Sequence, residues 1–105
     1  MNDFWRTVGE WLESGQKVGL ATVVKTWGSA PRGVGAKMAF TGASQVTGSV
    51  SGGCVEAAVL DKGLQLLSGD AEPELLRFGV SNEQAWRVGL SCGGEIEVFI
   101  ERLGP

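Results

Sequence analysis

The sequence predicts one compact α/β domain, with α+β as the alternative, in which a mixed sheet of about five strands packs with two or three helices. Its length of 105 residues suits a single domain. Hydrophobic residues make up 43% and charged residues 20% of the chain, which is typical of globular rather than disordered proteins. Segments with helical spacing are interleaved with β-branched or alternating segments, and this order predicts the mixed architecture.

The first part of the chain predicts a helix followed by a strand. Asp3 can cap the helix, whose apolar residues recur every 3.6 residues, and Gly15 fits the position just after its end. Residues 18–26 are mostly apolar and rich in β-branched side chains, which predicts a buried strand.

A loop and a hairpin are predicted next. Residues 27–35 contain three glycines and a proline, which predicts a loop. Residues 36–41 predict a second strand with Met38 and Phe40 on one face and Lys37 on the other. Residues 42–44 predict a hairpin turn that leads into a strand over residues 45–51.

The second half predicts one long helix and two further strands. Residues 55–67 have an apolar and a polar side, and Gly69 ends this helix. Residues 74–80 predict a short strand, and residues 82–87 a short helix. In residues 95–101, branched apolar side chains alternate with glutamates, which predicts a half-exposed strand.

The composition excludes several classes of function. The net charge is −3 without a basic stripe, so binding to nucleic acid is not expected. Histidine is absent, which excludes Ser-His-Asp and Cys-His catalysis and histidine zinc sites within this chain. No apolar run approaches the roughly 20 residues of a membrane span, and no secretory signal is recognisable at the start. A cytoplasmic location is expected.

Residues 48–56 lead from a strand into the long helix across a glycine pair and a cysteine. A helix N-terminus offers unpaired N–H groups and about half a positive charge. We expect Ser51, Gly52 and Gly53 to let a ligand approach the backbone closely. The Cys54 thiol tends towards thiolate at such a position. The segment therefore predicts an anion site at which Cys54 is a soft metal ligand.

The same segment lacks the groups that cleave nucleotides. Gly48 and Gly53 have the spacing of a P-loop, but Cys54 and Val55 stand where lysine and serine or threonine are required. Hydrolysis of ATP or GTP is therefore not expected. Glu56 is interpreted as a first-turn glutamate that the helix dipole favours, with a role as proton acceptor as the alternative.

A second cysteine has a mirrored setting. Cys92 precedes Gly93 and Gly94, whereas Cys54 follows its own glycine pair 38 residues earlier. Two thiolates on such backbone can hold a soft metal or relay a sulfur atom. The alternative is that both cysteines pack as small apolar residues beside turns.

Three residues around the first loop complete the candidate site. Arg32 follows a proline, and its planar guanidinium can bind a phosphate or carboxylate at two points. Lys37 is a second candidate cation, and Trp27 can stack on a flat ring. The alternative for both cations is an ordinary solvated surface position.

The blocks discussed so far resemble the XdhC/CoxI family. The resemblance rests on residues 26–32, 35–38, 48–56 and 89–101, and the Gly-Gly-Cys-Val-Glu sequence within the third block is its most specific part. It implies an accessory protein rather than a catalyst of hydroxylation. Such proteins bind the molybdenum cofactor and help to load it, in sulfurated form, into xanthine dehydrogenase-type hydroxylases.

The resemblance also implies what the site holds. Molybdopterin is flat and anionic, with a phosphate, a dithiolene and a soft metal. Arg32 and the helix start would take the phosphate, Trp27 would cover the pterin, and Cys54 would lie near the molybdenum. Residues 1–105 are expected to form one XdhC/CoxI-like domain without the Rossmann-like domain of longer members.

The expected partners are a molybdenum hydroxylase, a cysteine desulfurase and a further copy of the chain in a homo-oligomer. Two other functions remain open from the residues themselves. The first is a thiol-based redox or sulfur-transfer enzyme that uses Cys54 and Cys92. The second is a structural module that dimerises or docks through residues 95–101 as an edge strand.

Overall fold

The computed structural model describes residues 2–27, 33–50, 55–69, 72–79 and 95–103. They form two helices, α1 (Asn2–Glu13) and α2 (Glu56–Leu67), and five strands, β1 (Val18–Trp27), β2 (Lys37–Thr41), β3 (Val46–Gly48), β4 (Glu74–Gly79) and β5 (Glu95–Leu103). The strands make one sheet in the order β3-β2-β1-β5-β4. The prediction of a single compact domain with a five-stranded sheet is confirmed.

The pairing of the strands differs from the mixed sheet that was predicted. All four neighbouring pairs among the described residues are antiparallel. Helix α2 does join two strands of the same direction, β3 and β4, but these lie at opposite edges with β2, β1 and β5 between them. A long crossover therefore exists without creating a parallel pair, and the α+β alternative describes the sheet better.

Helix α1 covers part of one face of the sheet. Phe4 and Val8 of α1 pack against Val18, Leu20 and Ala39, and all five side chains are buried. The helix begins at Asn2, so Asp3 lies in its first turn rather than at the cap position.

The end of α1 follows the glycine prediction. Gly15 has φ +82°. Its N–H donates to the Leu12 carbonyl at 3.1 Å, and the Gln16 N–H donates to the Trp11 carbonyl at 3.0 Å. These two bonds form a Schellman motif, which is why the helix stops here.

Helix α2 covers the opposite face and encloses the main core. Phe40 of β2 is fully buried, and its ring occupies the space into which side chains at Gly19 and Gly63 would project. The cluster around it contains these buried residues: Ala21, Val23, Met38, Val50, Val55, Val59, Leu66, Leu67, Phe78, Ile96, Val98 and Ile100. The two glycines therefore let α2 lie close to the sheet.

Strand β5 is a central strand, so the predicted docking of residues 95–101 through an exposed edge is wrong. It pairs with β1 on one side and with β4 on the other. The edges of the described sheet are β3 and β4. The predicted helix over residues 82–87 lies outside the described residues.

Both described helices have twelve residues, and neither is long and apolar enough to cross a membrane.

Candidate functional site

Most of the predicted site lies outside the described residues. This holds for Arg32, Ser51, Gly52, Gly53, Cys54, Cys92, Gly93 and Gly94, and for the side chain of Trp27. The structure describes Lys37 and the residues that flank each of these segments. The site is therefore located through its attachment points.

All three predicted segments are attached at one end of the sheet, which we call the connection end. Here β1 finishes at Trp27, β3 at Gly48 and β4 at Gly79, whereas β2 begins at Lys37 and β5 at Glu95. Because neighbouring strands are antiparallel, these termini share one end of the sheet.

The register ties two of the segments to the same strand. Trp27 and Gly79 both pair with Glu95, one from each side of β5. Residues 28–32 follow Trp27 directly, and residues 80–94 join Gly79 to Glu95. The segments that carry Arg32 and Cys92 therefore start or finish on one row of the sheet.

The third segment, residues 51–54, connects the sheet to α2. Val50 precedes it and Val55 follows it, and both side chains are fully buried in the core cluster under α2. Val55 occupies the N-cap position of α2, and valine has no acceptor with which to cap the first turn. Cys54 thus directly precedes the N-cap, as the sequence predicted for a cysteine at a helix start.

The main chain just before this segment packs tightly against β2. Gly48 has φ +78°, a conformation that favours glycine. A side chain there would meet the carbonyl oxygen of Lys37 and the ring of Phe4. The N–H of Ser49 donates to the same Lys37 carbonyl at 2.9 Å. The chain can therefore leave β3 along this path only with glycine at position 48.

Glu56 makes contacts that the sequence did not reveal. It is the first residue of α2, as predicted for a first-turn glutamate. Its Oε2 accepts hydrogen bonds from the Ser49 hydroxyl at 2.6 Å and from the Val50 N–H at 3.0 Å. No sequence spacing predicts this pair of donors, because Ser49 and Val50 precede residues 51–54 and Glu56 follows them.

The backbone carbonyl and the side chain of Lys37 make contacts in different parts of the structure. Its carbonyl accepts the Ser49 N–H beside the glycine segment. Its Nζ lies 3.4 Å from Oγ1 of Thr22, on the sheet face that also carries α1. The ammonium group therefore lies on the face opposite α2, although Lys37 stands at the connection end.

Glu95 differs from its predicted place on the polar side of the last strand. It is 7% exposed and forms an ion pair with Arg77 of β4. Alternation alone predicted a solvated glutamate. In a central strand covered on both faces, however, side chains of both faces become buried, and a buried carboxylate then needs a partner of opposite charge. Arg77 is such a partner, and it fixes the start of β5 where residues 80–94 end.

The described residues hold no group of three or more aspartate, glutamate, cysteine or histidine side chains that could bind a metal ion. The predicted metal ligand Cys54 lies outside them. A role for its thiol stays a prediction.

Comparisons with known proteins show which family the sequence is similar to. The model of the XdhC and CoxI family matches residues 11–79, which is more than half of the chain. A probable xanthine dehydrogenase subunit from Bacillus subtilis is 33% identical over 98% of this chain and 32% of its own length. The molybdenum cofactor insertion chaperone PaoD of Escherichia coli is 35% identical over 90% of this chain and 29% of its own.

A solved structure shows the same fold. The crystal structure of a xanthine dehydrogenase from Bacillus halodurans matches with a TM-score of 0.76 and 26% identity, over 94% of this chain and 30% of that one. The chain thus spans about a third of the length of these relatives. The family model, supported by these matches, leads to one conclusion: the chain belongs to the XdhC and CoxI family.

Proposed function

We propose that this chain is a maturation factor that binds the molybdenum cofactor and assists its sulfuration or its insertion into xanthine dehydrogenase-type hydroxylases. The observation that carries the proposal is the attachment of all three predicted segments at the connection end, in a chain that belongs to the XdhC and CoxI family. The name of the Escherichia coli relative, a cofactor insertion chaperone, supports it.

The flanking residues fit an anionic, flat cargo. Helix α2 begins at the connection end, and the positive end of a helix dipole is suited to bind a phosphate. Ser51, Gly52 and Gly53 lead into that turn without bulky side chains. In the proposal, Arg32 clamps the phosphate and Trp27 stacks on the pterin ring.

The two thiols are assigned to the softer part of the cargo. Cys54, directly before the N-cap of α2, would bind at the molybdenum, since thiolates are soft ligands. Cys92, with Gly93 and Gly94, would approach from the connection between β4 and β5. Lys37 has its positive charge at the same end of the sheet but on the face opposite α2.

A domain of this size leaves a bound cofactor partly open to water. We therefore propose that a second copy of the chain or the target hydroxylase supplies the other wall, and that a cysteine desulfurase supplies the sulfur. The hydroxylase and the desulfurase would be met in the cytoplasm.

The test is cofactor retention by the purified chain under anaerobic conditions. After incubation with molybdenum cofactor and gel filtration, pterin and molybdenum are measured in the protein fraction. We expect Cys54→Ala and Arg32→Ala each to weaken retention by about tenfold, because each removes a contact of a charged or metal-binding group.

Lys62→Ala is the matched control. Lys62 pairs with Glu74 at 3.2 Å, at the start of β4 and hence at the opposite end of the sheet. It should retain cofactor like the wild type. If Cys54→Ala also retains as much as the wild type, the role assigned to that thiol is wrong.

A second candidate function is thiol-based redox or sulfur-transfer chemistry between Cys54 and Cys92. The attachment of both cysteine segments at the connection end favours it. This function requires a reactive thiol, so slow alkylation of both cysteines at neutral pH would argue against it.

A further inference from the structure

Glu56 joins the two ends of the segment that carries Cys54. One carboxylate oxygen, Oε2, accepts from the hydroxyl of Ser49 at 2.6 Å and from the N–H of Val50 at 3.0 Å. Ser49 and Val50 precede the segment, whereas Glu56 follows it as the first residue of α2. The side chain therefore bridges residues 51–54 from the helix back to the sheet.

Both sides of this bridge are fixed independently. On the sheet side, the Ser49 N–H donates to the Lys37 carbonyl at 2.9 Å, and the Val50 side chain is fully buried. On the helix side, Val55 is buried in the same core cluster, and its carbonyl accepts the Val59 N–H at 2.9 Å. The carboxylate thus connects two rigid parts of the molecule.

Hydrogen bonds to a carboxylate are shorter and stronger than those between neutral groups. Holding Val50 and Val55 at a fixed separation lowers the conformational entropy that is lost when a ligand binds between them. A negative charge near an anion site also has a cost, because it repels the anion. Two donors on one oxygen offset part of that charge, so we expect the positioning effect to dominate.

We propose that Glu56 is a positioning residue whose carboxylate, together with the packing contacts of Val50 and Val55, holds the two ends of residues 51–54 at a fixed separation before the cofactor binds. What the segment then binds rests on the proposed function. The fixing of its ends does not.

The test compares Glu56→Gln and Glu56→Ala with the wild-type chain. Hydrogen exchange of the Val50 amide is followed by NMR, and cofactor retention is measured at a temperature at which circular dichroism shows every variant folded. We expect the Val50 amide to exchange about tenfold faster in Glu56→Ala. Glu56→Gln keeps an acceptor oxygen and should lie between the two. Retention should fall in the same order.

Asp61→Asn is the control, because it removes a carboxylate from an exposed position of the same helix. It should leave both readouts unchanged. Ser49→Ala removes one of the two donors, so it should accelerate exchange less than Glu56→Ala does.

Three results would overturn the proposal: an unchanged Val50 exchange rate in Glu56→Ala, faster exchange with undiminished retention, or tighter retention in both Glu56 variants. The last of these would mean that repulsion outweighs positioning. If the wild type retains no cofactor, the proposed function fails, and the exchange rates alone decide whether Glu56 fixes the segment ends.

Discussion

Phe40→Ala is expected to lower the free energy of unfolding by about 3–5 kcal/mol, the range found for phenylalanines truncated in a core. Phe40 is fully buried, and its ring fills the space between the sheet at Gly19 and helix α2 at Gly63. Neither glycine has a side chain with which to fill the cavity that the substitution would leave. Urea unfolding followed by circular dichroism measures the change.

The converse substitution tests the same contact. Gly63→Ala adds a methyl group against the Phe40 ring and is expected to cost about 1–3 kcal/mol by overpacking. Gly9→Ala, in the interior of α1, adds the same group where, apart from the helix's own backbone and chain neighbours, no described residue lies within 4 Å. It should raise stability by about 0.5–1 kcal/mol. Equal effects at both positions would contradict the close approach of α2.

Gly48→Ala is expected to cost more than about 2 kcal/mol of stability and to weaken cofactor retention in the molecules that still fold. The residue has φ +78°, and its new methyl group would meet the Lys37 carbonyl and the Phe4 ring. Relief requires moving the main chain that leads into residues 51–54. Urea unfolding and the retention assay together measure the two effects.

Gly69→Ala is the control that separates the free-energy cost of a positive φ from the cost of the steric clash expected in Gly48→Ala. Gly69 follows α2 with φ +89°, and an added methyl group meets no other described residue within 4 Å. It should cost only the roughly 1–2 kcal/mol of a left-handed conformation and leave retention intact. If Gly48→Ala is no worse than Gly69→Ala, the tight path out of β3 has no energetic consequence.

Local structure was largely predictable from the sequence because it depends on local chemistry. Gly15 and Gly69 ended the two described helices as predicted, each with positive φ. The apolar run that became β1 and the periodic run that became α2 were placed within two residues of their observed bounds. Periodicity and turn residues carry that information within short windows.

The order and direction of the strands were not predictable in the same way. They depend on pairing between residues far apart, such as Trp27 with Glu95. No local pattern indicated that β5 lies between β1 and β4, and its glutamates suggested an exposed edge instead. The burial of Glu95 became understandable only with Arg77 beside it.

The candidate site likewise has features that local sequence predicts and features that depend on the strand order. Its chemistry follows from residue types: a cysteine before a helix, glycine pairs, and cations near a strand end. The position of its attachment points follows from topology, since β1, β3 and β4 run in the same direction and all finish at the connection end, where β2 and β5 begin. The contacts of Glu56 depend on the residue types and on the topology together, so neither of these alone predicts them.

We propose that the three segments at the connection end form one site, with Cys54 and Cys92 close together and accessible. A short bifunctional maleimide tests it in dilute protein, with peptide mapping by mass spectrometry. We expect an intramolecular link between Cys54 and Cys92, and protection of both thiols once cofactor is bound. It would be contradicted if both cysteines react with a monofunctional maleimide but never become linked, or if neither reacts in the folded chain.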